Sequence, residues 1–255
     1  MSERVFNCIT KVKGIVIFLL LLVMLVAGCA RAPVTQSPAK PEAVINTFLQ
    51  ALSGGDVNTC LNLLADDVVF RQEPSGMKTE GKAQLEAGIR QLLTWHHQYS
   101  VIGPIQTDGD KVMLTIRETG DEYKILGLEY MTANLDVRVT DGKIKSWTAT
   151  VNDEDWKKLT ERTAGGIGIK ADFVSQGMRV REVASNSPAY QAGIKPGDLI
   201  IAVNGVSYSQ MREGEMQLRI QGPVGSRVKL TVTHEGAPAP VDVEMTRIRL
   251  EQLHW

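Results

Sequence analysis

Several absences narrow the field before any motif is read. Neither charge is in excess: 28 Lys and Arg against 29 Asp and Glu leave −1 over 255 residues. That balance gives no electrostatic footprint for nucleic acid. There is no long low-complexity tract. The uncharged run Gly14 to Ala27 falls short of the roughly 20 residues a spanning helix needs. Cysteine is scarce, at three residues: Cys8, Cys29 and Cys60. Histidine is scarce too, and the one pair, His96-His97, is no metal signal. Adjacent positions on a helix point about 100° apart, and no third ligand is spaced with them. No cofactor and no metal are expected.

What is present begins with Arg4, Lys11 and Lys13 ahead of the apolar run. A positive segment followed by a short apolar one reads as a cleaved signal. Val26-Ala27-Gly28-Cys29 then resembles a bacterial lipobox. The resemblance implies a signal over residues 1–28, lipidation of Cys29 and membrane attachment at an extracytoplasmic face. Cys60 would be left alone, so no internal disulfide is expected. Its surroundings, Val57 to Leu64, are helix-like, and a buried structural thiol is the simpler reading. Residues 29–40 hold Pro33 and Pro38 and read as a tether.

Residues 41–162 read as one folded unit. Val44, Ile45, Phe48, Leu49 and Leu52 recur at helical spacing, and Ser53-Gly54-Gly55-Asp56 ends that helix. A short helix over Val57 to Leu64, a strand at Val68 to Phe70 and a third helix over Lys82 to Thr94 follow. Four strands come next: Gln98 to Ile105, Lys111 to Glu118, Leu128 to Thr140 and Lys143 to Asn152. Met131, Ala133, Leu135, Val137 and Val139 share one face of the third. A helix over Asp153 to Arg162 closes the unit. Helices followed by an antiparallel meander define an α+β domain. The ordered signals Gly55-Asp56, Asp66-Asp67-Val68-Val69-Phe70, Gly81-Lys82 and Asp141-Gly142-Lys143-Ile144 resemble the SnoaL-like, nuclear-transport-factor-like family of cone-shaped domains.

That resemblance implies a pocket inside a curved sheet, catalytic in some members. Catalysis there needs a carboxylate or His aimed inward beside a phenol or second acid. The candidates are Tyr99, Tyr123, Tyr130, Asp136 and His96 or His97. Tyr130 and Asp136 share a strand parity and are the named pocket pair. The competing reading is that this parity faces solvent.

The second unit, residues 165–249, is organised around Ser187-Pro-Ala-Tyr-Gln-Ala-Gly-Ile-Lys-Pro-Gly-Asp-Leu-Ile-Ile-Ala-Val-Asn-Gly205. Ser187 caps a short helix, Pro188 suits its first position and Gly193 stops it. Leu199 to Val203 is a strand, and Asn204-Gly205 a tight turn. The run resembles a PDZ domain of the type found in carboxyl-terminal processing proteases, giving a small β-barrel or sandwich with two helices. The resemblance implies that Gly166, Ile167, Gly168 and Ile169 present backbone N–H groups to a peptide carboxylate. Ile167 to Phe173 would accept the peptide by strand addition. Met216 and Ile220, on a helix over Glu213 to Ile220, would wall the other side.

The expected function is therefore non-catalytic capture of peptides or protein C-termini by a lipid-anchored protein, with no nucleic acid partner and with homodimerisation suggested by the cone resemblance. The chain ends six residues past Arg249, with residues 250–255 read as a tail. No protease segment fits there, so an enzyme is not expected. Small-molecule binding or catalysis in the cone pocket stays open as the alternative.

Overall fold

The computed structural model of the chain describes residues 39–212, 214–249 and 251. The signal, Cys29, nearly all of the tether and the Leu253-His254-Trp255 tail lie outside the described residues.

Helix α1 (Pro41–Gly54) buries Val44, Ile45, Phe48, Leu49 and Leu52 on one side. It ends because Gly55 takes the left-handed conformation, φ +78°. Asp56 caps α2 (Val57–Leu63) by accepting from the Thr59 N–H. Next come β1 (Leu64–Glu73), β2 (Met77–Glu80), α3 (Lys82–Thr94), β3 (Gln98–Asp108) and β4 (Lys111–Thr119). A short α4 (Asp121–Ile125) precedes β5 (Met131–Thr140), β6 (Lys143–Val151) and α5 (Asp153–Thr163). The strands form one sheet in the order β2-β1-β6-β5-β4-β3. All neighbours are antiparallel except β1 and β6, which are parallel, with Val69 opposite Ser146. The alternating face of β5 is buried as its pattern requires, from Met131 to Val139. The helices pack on it, with Cys60 and Leu64 fully buried among them.

Three parts of this layer differ from expectation. β1 is ten residues long, because Leu64 and Ala65 turn straight from α2 into the sheet. β2 is a strand not expected between Phe70 and Lys82, its edge position asking little of the sequence. α4 is a single turn, too short to show a period; Gly120 and the acidic pair Asp121-Glu122 are its start signal.

The second layer follows from β7 (Gly165–Gly166), β8 (Ile169–Val174), β9 (Gly177–Val183), α6 (Pro188–Gln191), β10 (Leu199–Val203) and β11 (Val206–Ser207). It is completed by α7 (Glu215–Ile220), β12 (Arg227–Thr233), β13 (Val241–Thr246) and β14 (Ile248–Arg249). The main sheet runs β13-β12-β10-β9-β8, with β11 on β10, and β14 pairs β7. Asn204 and Gly205, at φ +51° and +79°, make the tight turn between β10 and β11. Asp198 is buried, accepting from the Lys195 N–H at 2.8 Å and from His234 Nδ1 at 2.9 Å. Its core joins Ile167, Ile200, Leu230 and Met216.

Candidate functional sites: a sheet-edge groove and a cone cavity

The groove is made by β8 and α7. β8 ends the sheet: among the described residues it pairs with β9 and with no other strand. The loop leading into it is held from behind. The Ala189 N–H donates to the Ile167 carbonyl and the Ala184 N–H to the Gly168 carbonyl, both at 2.9 Å. Ser187 caps α6 through the Tyr190 N–H at 3.1 Å, which fixes the position of that support. With their carbonyls engaged, the N–H groups of Ile167 and Gly168 have no protein acceptor among the described residues. Gly168 sits at φ +83°, the left-handed backbone from which neighbouring N–H groups can converge on an anion. A groove of about 300 Å³ opens beside them, lined also by Ile169, Phe173, Gln217 and Ile220. Phe173 is exposed at its far end.

Gly166, Ile167, Gly168, Ile169 and Ile220 thus border one groove. Met216 does not. It is 0% exposed and packs into the core beneath the groove. One helical step further on, Gln217 takes the groove-facing position. A six-residue helix has no long stripe from which to tell these two apart.

α7 is pinned at both ends. The buried Arg247 guanidinium donates to the Arg219 and Ile220 carbonyls at 2.7 and 2.8 Å, closing the helix C-terminus. At the other end, Arg212 pairs with Asp121 of α4 at 2.8 Å and lies over the Trp95 ring. Leu218 packs with Leu126, Leu128, Met131 and Val151 of the cone.

The cone encloses a cavity of about 630 Å³. Most of its wall is apolar, including Phe48, Phe70 and Trp147, whose rings pack edge-on or tilted at 4.8–5.6 Å. One pole is polar: His97, Tyr99, Glu118, Glu122 and Tyr123. His97 is 3% exposed. Its Nδ1 lies 2.6 Å from Glu118 Oε1 and its Nε2 2.5 Å from Glu122 Oε1. The second contact is a charge contact rather than an aligned hydrogen bond, since Nε2 and Glu122 Oε2 are both buried without a hydrogen-bond partner. Burial opposes the imidazolium, but the bond to Glu118 and the proximity of Glu122 outweigh it and raise His97 to about 9. Burial, and then the Glu118 charge, push the Tyr99 and Tyr123 hydroxyls well above the ordinary phenol range, so both stay protonated and donate to Glu118. With both ring nitrogens facing carboxyls, His97 offers no metal a lone pair. Among the described residues, no group of three or more His, Cys, Asp or Glu is placed to hold one.

Tyr130 and Asp136 are not at this pole. Tyr130 is 38% exposed beneath the Arg117 guanidinium, and Asp136 pairs with Lys111 at the surface. Their strand parity faces solvent because the opposite parity supplies the core. His96 is also outside, its Nδ1 2.7 Å from Asp121. Glu118 and Glu122 were missed by sequence reasoning. The signal for them was the acidic start of α4 beside the buried face of β4.

Comparison with known families matches the geometry. A SnoaL-like domain model matches residues 45–147 and a PDZ domain model residues 155–233. The chain is a SnoaL-like cone followed by a PDZ domain. Its curated relatives include a carboxy-terminal-processing protease of Bartonella bacilliformis, 23% identical over half of this chain and 32% of that protein. Another is the carboxy-terminal processing protease CtpA of Bacillus subtilis, 29% identical over 49% of this chain and 29% of that one. The chain spans about a third of the length of these relatives. Among solved structures, an NTF2-like protein of Cytophaga hutchinsonii aligns over 48% of this chain and 98% of its own, at 15% identity and a TM-score of 0.39. An epoxide hydrolase of M. tuberculosis aligns over 47% and 88%, at 20% and 0.39.

Proposed function

We propose that the chain captures peptides or protein C-termini in the PDZ groove without cutting them, and works at the extracytoplasmic face of a membrane on a lipid carried by Cys29. The observation that supports capture is the edge position of β8 beside the N–H groups of Ile167 and Gly168, which have no protein acceptor among the described residues. An extended peptide adds to such a margin as a further strand. About four backbone hydrogen bonds at roughly 0.5–1.5 kcal/mol each, plus one buried apolar side chain at about 1.5–3 kcal/mol, set the gross attraction. Association costs leave roughly micromolar affinity. A membrane tether beside the partner offsets that weakness by raising effective concentration.

The test is a screen of C-terminal peptide libraries against the full chain, with hits titrated by fluorescence anisotropy. Amidating the peptide carboxylate is expected to lower affinity at least about tenfold, the loss of one charge-assisted contact. Equal affinity for acid and amide would remove carboxylate recognition from the reading. No binding at all would remove the reading itself.

A second reading is favoured by the polar pole of the cone. A cavity of about 630 Å³ with a mostly apolar wall and a few convergent polar groups at one pole suits a small molecule. Glu118 bonds His97, and Glu122 lies against the other nitrogen of the same ring.

A further inference from the structure

The cavity and the groove share a wall. Gln217 of α7 lines both, with Leu218 turned to the cone and Ile220 to the groove. The polar pole of the cavity lies at this same end. Glu122, which lines that pole, is the chain neighbour of Asp121, which holds Arg212 just ahead of α7. Trp95 belongs to the cavity wall, and Arg212 rests over its ring. The helix between the two sites is one and a half turns long and fixed at each end, so it has little freedom to absorb a push on one flank without moving the other.

The chemistry of the pole restricts what can fill the cone. Two carboxyls face one imidazole there, so acidic groups outnumber the basic one. A complementary occupant brings a donor, and a cationic donor suits the surplus of carboxyls best. A carboxylate head would meet like charge. The remaining wall requires an apolar body.

We propose that α7 links the two sites, so that an apolar molecule with a hydrogen-bond-donating head, seated against Glu122, strengthens peptide capture in the groove. This rests on both readings given above. The sign follows from packing. The cone-facing flank of Gln217 and Leu218 lines the cavity, while Leu218 also packs on the cone. An occupant gives that flank contacts in the position the groove uses, so less ordering remains for the peptide to impose. Linkage then requires the peptide to tighten binding of the occupant by the same factor.

The experiment uses the full chain, a peptide chosen by the library screen, and two probes of equal length, decylamine and decanoate, below their aggregation concentrations. Saturating decylamine is expected to lower the peptide Kd about fivefold or more, and saturating peptide to lower the decylamine Kd equally. Decanoate is expected to bind at least tenfold more weakly than decylamine, and Glu122→Gln to narrow that gap. Ala149→Phe, which fills the cavity from its own wall, is expected to tighten the peptide without any probe. Should that variant not fold, Ala149→Met takes its place.

The outcomes separate the claims. A peptide Kd unchanged by decylamine in a chain that binds both overturns the link and leaves both readings standing. Failure of decylamine to bind, or equal binding of decanoate, overturns the choice of occupant. Failure of every peptide to bind overturns peptide capture, and the link falls with it.

Discussion

Asp121 at the start of α4 holds Arg212, just ahead of α7, at 2.8 Å, and the same carboxylate accepts from Lys124 and His96. Hydrogen bonds from Lys124 and then His96, with Arg212 nearby, hold its carboxyl well below the usual range. A depressed carboxyl stabilises above its unfolded value, about pH 4, and that support is lost as pH falls through the folded value. Asp121→Ala is expected to cost about 1 kcal/mol or less, since the group is partly solvated. Hydrogen exchange is expected to speed up across α7 more than across β12, and equal change in both would contradict the pinning.

His97 runs the other way. Its folded value of about 9 lies above the unfolded one of about 6.5. Its contribution is complete below about pH 6.5 and is lost as pH rises toward 9. Thermal unfolding of the native chain is expected to shift downward across that window, and an imidazole NMR titration to show a midpoint near 9. His97→Leu, which leaves Glu118 and Glu122 facing each other, is expected to cost about 3 kcal/mol. A flat profile from pH 6.5 to 9 would remove His97 from that role.

Gly168→Ala addresses the groove. At φ +83° an added Cβ costs roughly 1–2 kcal/mol in the folded loop. Peptide affinity is expected to fall about tenfold, while ligand binding in the cone is retained. A variant that binds as the native chain does would show the loop is not the carboxylate seat.

Tyr130→Phe and Asp136→Asn are expected to leave both sites unaltered and to cost less than about 1 kcal/mol each, being surface contacts to Arg117 and Lys111. Loss of cavity ligand binding in either would reverse the assignment of the pole.

Cys29→Ser tests the anchor directly. The protein is expected to move from the membrane fraction to the soluble one, and to lose incorporation of labelled palmitate. Retention in the membrane would end the lipid proposal.

How far the sequence reached depends on the length of each pattern. The run Ser187 to Gly205 fixes a cap, a proline start, a glycine stop and a type I′ turn in sequence, and every one of them is local. The core face of β5 was legible for the same reason: five alternating positions leave one register. The polar pole was not, because it assembles His97 from the end of α3, Glu118 from β4 and Glu122 from a five-residue helix. Each is ordinary alone, and only the turn at Gly120 brings them together. Met216 and Gln217 were confused because adjacent residues on a short helix differ only by rotation. The contact of α7 with the cone was invisible for a simpler reason: nothing in either repeat of apolar residues says which foreign surface it will meet.

The parallel pairing of β1 with β6 governs the order of assembly. Val69 cannot find Ser146 until the intervening two helices and four strands exist, so the N-terminal half of the cone emerges from synthesis with its sheet margin unmatched. Closure of so distant a pair makes the cone the slow step, and the interval before it is when an unpaired strand is most exposed to wrong partners.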